Sequence, residues 1–303
     1  MAKQPRSLHG KVAVVTGGGR GIGKALALAL TSEGCRVAIG DVDAASAERA
    51  ATELGPGAVG LHVDVTDRPG FTAFLDEVEQ RLGPIDIMVN NAGIMTVGPF
   101  DDEPDATAIR LLEINLHGVI HGTKEAMRRM RPRGTGHIVN VASSAGKTGF
   151  PHLATYCATK HGVVGLSEAV RAELRGTGVD ISVVMPNIVQ TELSAGLVET
   201  PAFKNSTVDD VADGVVDALK FNRFDVFVPK SIGPTWAVMN LVPRRARDAV
   251  GRALKIDRAL TQADHAARAG YEARAAASAP AADAEHAASV EALEQREERA
   301  RVG

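Results

Sequence analysis

The chain has 303 residues, enough for one large α/β domain or two small ones. Hydrophobic residues make up 45%, charged residues 23% and aromatics only 4%, and the formal net charge is -3. That balance offers neither the basic surface nor the aromatic platforms of a nucleic-acid binder. Two cysteines, Cys35 and Cys157, are too few for a disulfide scaffold or a cysteine-ligated zinc site, and they fit a reducing cytoplasm. The start, Met1 to Lys11, is polar and lacks the apolar core of a signal peptide. No apolar run reaches the ~18 residues of a membrane span.

Seven short runs rich in β-branched residues follow one another: 12–15, 36–39, 59–63, 85–89, 137–141, 181–184 and 225–228. Between them lie stretches with helical spacing. Ile22, Ala25, Leu26, Ala29 and Leu30 mark one apolar face, and Phe71, Phe74, Leu75, Val78 and Leu82 another. Apolar strands alternating with helices predict a parallel seven-stranded sheet covered on both faces. Right-handed crossovers then give a doubly wound α/β (Rossmann) fold over residues 1–230.

The first strand runs into Thr16-Gly17-Gly18-Gly19-Arg20-Gly21-Ile22-Gly23, and an amphipathic helix follows. Glycines there let the backbone approach a pyrophosphate, and the helix start supplies free N–H groups and a positive dipole end. The lysine of an ATP-binding phosphate loop is absent. Asp41, at the end of the second strand, lies 24 positions after Gly17, near the spacing at which an acid meets the adenosine ribose. Its carboxylate favours NAD and repels the 2′-phosphate of NADP. Arg20 pulls the other way, since an arginine in this loop attracts a 2′-phosphate, but Asp41 opposes that phosphate directly.

Further motifs occur in order: Asp64-Val65, then Asn90-Asn91-Ala92-Gly93, then Asn115 within Glu113-Ile114-Asn115-Leu116. Ser143 follows within Asn140-Val141-Ala142-Ser143-Ser144-Ala145-Gly146, and last comes Tyr156-Cys157-Ala158-Thr159-Lys160. With the glycine loop, this set resembles the short-chain dehydrogenase/reductase family over roughly residues 8 to 230. The resemblance implies NAD(P)-dependent hydride transfer between a nicotinamide cofactor and an alcohol or carbonyl. It implies cofactor contacts at Gly17, Arg20, Gly21, Ile22, Gly23, Asp41, Asp64, Val65, Asn91, Gly93, Val189 and Thr191, besides Tyr156 and Lys160. The helices carrying Asn115 and Tyr156 pair across a dimer interface in the family, which implies a homodimer or homotetramer. One departure stands in Pro186-Asn187, where the family has Pro-Gly; asparagine tolerates left-handed backbone better than most residues.

The catalytic set is Asn115, Ser143, Tyr156 and Lys160. Tyr156 and Lys160, four apart, share one helix face. A free tyrosine, with a pKa of about 10, is too weak a base at neutral pH, and a neighbouring cation lowers that value. Lys160 is expected to do this together with the oxidised nicotinamide, and to bind ribose hydroxyls. Ser143, 13 residues before Tyr156, hydrogen-bonds the substrate oxygen. Asn115 resembles the residue that holds a proton-relay water. No metal is needed: His117 and His121 lack a zinc motif, and a surface or interface role suits them better. Cys157 is expected to pack rather than react.

Three loops, 94–100, 147–154 and 192–204, offer Met95, Phe100, Phe150, Leu153, Leu193, Leu197 and Phe203. They predict a small apolar alcohol or carbonyl substrate. The alternative function is a non-catalytic dinucleotide-binding or membrane-associated scaffold on the same fold, against which the complete proton-handling set argues. Residues 231–260 combine Trp236, Val238, Met239 and Leu241 with arginines, an amphipathic basic segment that predicts peripheral membrane contact through 236–258. Residues 261–303 are alanine-rich and charged, with too few large apolar residues for a core, and read as a solvated helix or a disordered tail.

Overall fold

A computed structural model of the chain describes residues 4–198, 205–243, 245–247, 249 and 258–277. All seven expected strands form: β1 (Val12–Thr16), β2 (Arg36–Asp41), β3 (Ala58–His62), β4 (Ile87–Asn90), β5 (Gly136–Val141), β6 (Val179–Pro186) and β7 (Asp225–Val228). They make one parallel sheet in the order β3-β2-β1-β4-β5-β6-β7. Strand order reverses between β1 and β4, so a crevice opens beyond their carboxyl ends.

Helices cover both faces, as continuous apolar strands require. On one face lie α1 (Gly21–Ser32), α2 (Ala44–Leu54) and α7 (Val208–Phe221). Their Leu26, Leu30, Ala47, Ala50, Val211 and Val215 bury against Ala13, Val15, Val37 and Val139. The other face carries α3 (Arg68–Leu82), α5 (Gly118–Met130) and α6 (Ala154–Glu173). There Phe71, Leu75, Val78 and Met130 meet Val12, Val14, Met88 and Ile138. The short α4 (Asp105–Leu112) leads through a π-helical turn, Glu113–His117, into α5. Such wide turns recur at functional positions, and this one carries Asn115.

After β7, α8 (Ile232–Leu241) packs Gly233 so close to the edge that a Cβ there would lie 2.8 Å from Phe227. A helical turn, Arg258–Thr261, precedes α9 (His265–Ala277). The segment from 261, expected as a solvated helix or a disordered tail, forms a helix over 265–277, but not a solvated one throughout, since Arg268 and Ala275 are buried. Composition misleads here because polar contacts of Arg268, rather than a patch of large apolar side chains, fasten this helix. Residues 278–303, and 250–257 of the basic segment, lie outside the described residues. Among the described residues no helix is long and apolar enough to cross a membrane.

His137 on β5 sets one pH response. It is 5% exposed, and its Nε2 lies 2.7 Å from Ser182 Oγ on β6. Burial pulls its pKa down from 6.5 to about 4. Between these values the unfolded chain binds a proton that the native imidazole refuses. Stability therefore falls as pH drops from about 6.5 to about 4, by about 3 kcal/mol from this group. Urea titrations at stepped pH should show that slope, and His137→Asn should flatten it.

Candidate active site

The glycine loop follows β1, as the spacing predicted, and its geometry requires glycine. Gly17 and Gly21 have φ +62 and +54, a region L side chains rarely adopt. A Cβ on Gly23 would lie 2.1 Å from the Gly17 carbonyl oxygen. Asn91, just past β4, clamps the loop: its Nδ2 donates to Thr16 O at 2.9 Å and Gly17 O at 3.2 Å, and its own N–H donates to Thr16 Oγ1 at 3.0 Å. The α1 amino terminus therefore faces a groove with bare backbone, the form a diphosphate needs.

Asp41 ends β2 buried, its carboxylate accepting from Gly19 N at 2.9 Å and Asp43 N at 3.1 Å. Asp64 and Val65 line the same groove. Asp64 Oδ1 accepts from Thr66 N and Oγ1, at 2.9 and 2.7 Å. Arg20, Ile22, Gly93 and Thr191 also line it. Thr191 stands over the loop, its Cγ2 3.6 Å from where a Gly21 Cβ would be. Arg20 extends to Glu192 at 3.5 Å. Val189 is buried and pairs with Ser206 in an isolated parallel bridge. Asn187, expected to need left-handed backbone, has no positive φ; its N–H donates to Val228 O at 2.9 Å, and the turn proceeds without glycine.

The groove opens into an apolar cavity through Asn91, Gly93, Ile94 and Leu193, which belong to both. Ser143, Tyr156 and Lys160 all line this cavity. Ser143 precedes a single 3-10 turn, its Oγ accepting from Ala145 N at 3.1 Å, and its hydroxyl favours the ionised form of the neighbouring Tyr156. Tyr156 and Lys160 rise from the first turns of α6, with Lys160 Nζ 5.6 Å from the phenol ring centroid. Nζ donates to Val141 O at 3.1 Å. Burial pulls the Lys160 pKa down to about 8, with no carboxylate paired to it among the described residues. Burial also pushes the Tyr156 phenol well above its ordinary value, against the lowering by Ser143. The lowering expected of Lys160 is one it exerts together with the oxidised nicotinamide. In the protein alone desolvation outweighs any such help, so the phenol stays protonated at neutral pH.

Asn115 is fully buried and binds the backbone of Ile94 at both ends: Nδ2 donates to Ile94 O, and Oδ1 accepts from Ile94 N, each at 2.8 Å. Nδ2 also approaches Thr159 Oγ1 at 3.4 Å. The side chain thereby fixes the segment after Gly93 against α6. Behind it, Asn90 Nδ2 donates to Asn140 Oδ1 at 2.8 Å and Asn140 Nδ2 to Ser167 Oγ at 3.0 Å, a buried link between β4, β5 and α6.

Of the residues expected to meet substrate, Met95, Phe150, Leu153, Leu193 and Leu197 line the cavity. Phe100 does not: it opens a 3-10 turn with 68% exposure. Phe203 lies outside the described residues. Ile188 and Leu260 line the cavity unforeseen, and Arg110, Tyr271, Arg274 and Ala275 line the groove. Arg110 was foreseeable only from its helical offset to Glu113, which it approaches at 3.4 Å. Cys157 is buried and accepts from Phe150 N, with burial pushing its thiol up, as packing rather than reactivity requires. His121 Nδ1 lies 3.2 Å from Val65 O, and the two helix histidines stand 6.5 Å apart.

A glycine-lined dinucleotide groove leading to Ser143 and the buried Tyr156 and Lys160 defines a dinucleotide-dependent oxidoreductase. A sequence model of the short chain dehydrogenase family matches residues 11–202. The chain is 37% identical over 186 residues to a sorbitol dehydrogenase of Cereibacter sphaeroides, covering 61% of this chain and 73% of that one. It is 36% identical over 236 residues to the probable oxidoreductase EphD of Mycobacterium tuberculosis, covering 76% of this chain but only 39% of that longer protein. Among solved structures, a short-chain dehydrogenase/reductase from Burkholderia phymatum in complex with NAD superposes with a TM-score of 0.71 at 27% identity, covering 77% of this chain and 93% of that one. The chain belongs to the short-chain dehydrogenase family. It is an oxidoreductase of CH–OH groups and the corresponding carbonyls, and its cofactor is a nicotinamide dinucleotide.

Proposed function

We propose that the chain interconverts apolar alcohols with ketones or aldehydes, using NAD in preference to NADP. The observation that carries this reading is the placement of Ser143, Tyr156 and Lys160 where the dinucleotide groove opens into an apolar cavity. The nicotinamide supplies the two-electron hydride carrier. The chain's own residues do the rest. The Ser143 hydroxyl donates a hydrogen bond to the substrate oxygen and orients it toward Tyr156. The Tyr156 hydroxyl gives a proton to that oxygen in reduction and takes it back in oxidation. The Lys160 cation offsets the negative charge that Tyr156 carries after giving up its proton, and would hold the ribose hydroxyls of a bound dinucleotide. Asn115 acts as a positioning residue, holding Gly93 and Ile94. Met95, Phe150, Leu153, Leu193 and Leu197 exclude water and select an apolar substrate. A competition between a hydrophobic secondary alcohol and sorbitol tests this: preference for the polyol would overturn the apolar assignment.

Cofactor choice rests on Asp41, a buried carboxylate fixed by two backbone N–H groups at the groove wall. Asp41→Ser is expected to tighten NADP binding by about tenfold or more, since it removes a fixed like charge, and to weaken NAD. Fluorescence titration with both cofactors checks it, and tighter NADP binding by the wild type would contradict the assignment.

Assembly as a homodimer or homotetramer is supported by Ile109 and Leu112, 47% and 39% exposed on the helix leading to Asn115. Peripheral contact with an anionic membrane is supported by Val238 and Leu241, 62% and 86% exposed on α8 ahead of Arg245 and Arg247. Flotation with anionic liposomes tests that contact. Two buried thiols fit a cytoplasmic setting.

A further inference from the structure

Residues 258–277 return to the mouth of the cofactor groove and are fastened there. Arg268 of α9 is fully buried. Its guanidinium donates to Leu193 O at 3.0 Å, Ala195 O at 2.9 Å and Met95 O at 2.9 Å, while its Nε donates to Glu272 at 2.9 Å. One side chain thus joins two loops on opposite sides of the site. Asp264 N adds a bond to Gly196 O at 2.8 Å, and Tyr271 OH accepts from Met95 N at 3.0 Å. A buried cation with every bond directed at backbone carbonyls or Glu272 is a fixed joint, so α9 is a resident wall and not a passing contact.

Farther along the helix, Arg274 reaches the phosphate loop. Its Nη2 lies 2.9 Å from Glu192 Oε2, and the same oxygen lies 3.5 Å from Arg20 Nη1. Arg20 and Arg274 thus converge from the glycine loop and α9 on one point of the groove, which they line with Gly21, Ile22 and Thr191. Two guanidiniums against one carboxylate leave a net positive charge beside the α1 amino terminus. Arg274 and Glu192 are each more than half exposed, and exposed pairs of this kind are weak and readily exchanged.

We propose that Arg274, with Arg20, binds the diphosphate of the dinucleotide, so that the C-terminal helix supplies part of the cofactor site. The inference rests on the nicotinamide-dinucleotide reading of the groove. A diphosphate carries two negative charges, and a guanidinium meets phosphate oxygens with two parallel donors. Glu192 opposes the ligand and turns away as both arginines change partner.

Calorimetric titration of the full-length chain separates this inference from that reading. Arg274→Ala should weaken NAD and ADP-ribose about tenfold at low salt, a change typical of one lost charge-assisted contact. Arg274→Lys should recover part of the loss. Glu192→Gln should tighten both ligands. Adenosine, which has no diphosphate, should bind wild type and Arg274→Ala alike. Equal binding of NAD by wild type and Arg274→Ala would overturn the inference and leave the cofactor reading intact. Equal loss for adenosine and NAD would overturn it too, by showing a general disturbance of the groove. No NAD binding by the wild type would overturn both.

Discussion

Tyr156→Phe lowers turnover by about 10³-fold or more, within the range for loss of a positioned proton donor, while NAD affinity stays within a few-fold of wild type. The variant deletes one oxygen. The ring remains in its cluster with Leu111, Leu153 and Cys157, so packing is preserved. What disappears is the hydroxyl that faces Ser143 at the base of the cavity. Burial holds the phenol in its protonated form, which suits it to donate a proton to a carbonyl oxygen. Taking a proton from an alcohol demands that positive charge arrive nearby, and Lys160 is the protein group placed to provide it. Steady-state rates in both directions, with calorimetry of NAD binding, check the expectation. Turnover unchanged in the phenylalanine variant would remove Tyr156 from the chemistry.

The second large effect belongs to Lys160. The residue is 4% exposed, its ammonium has Val141 O as hydrogen-bond acceptor, and its pKa is pulled down to about 8. In the free enzyme the cation is therefore lost as pH rises through about 8, within the working range. The kcat/KM for carbonyl reduction should fall above that pH, because Tyr156 then gives up its proton without a neighbouring positive charge. Lys160→Met should lower kcat/KM by about 10² to 10³-fold, the size of a lost electrostatic contribution in a water-poor site, and should abolish the inflection near 8. The same shift has a stability consequence of known sign. Between about 8 and 10.5 the unfolded chain holds a proton that the native lysine has released, so stability rises with pH across that window. A kcat/KM profile of Lys160→Met that retains the wild-type inflection would assign it to another group.

The sheet, and the meeting of Ser143, Tyr156 and Lys160 in one cavity, were readable in the sequence for a physical reason. The inner strands are buried on both faces, so each is a compact β-branched run, and Gly17 and Gly23 sit where a Cβ would collide with backbone. Tyr156 and Lys160 share a helix, so their spacing alone places them together. Arg268 and Met95 are in contact across 173 positions, and no local pattern announces it. Tyr271 was one of only two tyrosines in the chain, and Arg268 and Glu272 form an i,i+4 pair. Those were faint signals within a composition that argues against a core. Alanine-rich composition argues against a second domain's worth of apolar packing, yet a helix fastened by a buried guanidinium needs none. The raised phenol of Tyr156 was hidden as well, because spacing shows which charges are near but not how much water is removed.

The most direct measurement is turnover of a hydrophobic secondary alcohol carrying deuterium on its carbinol carbon, with NAD and the purified full-length chain. The account predicts that the deuterium appears on the nicotinamide ring of the reduced cofactor, one per ketone formed, and that Tyr156→Phe stops the transfer. Deuterium released to solvent, or ketone formed without reduced cofactor, would contradict it.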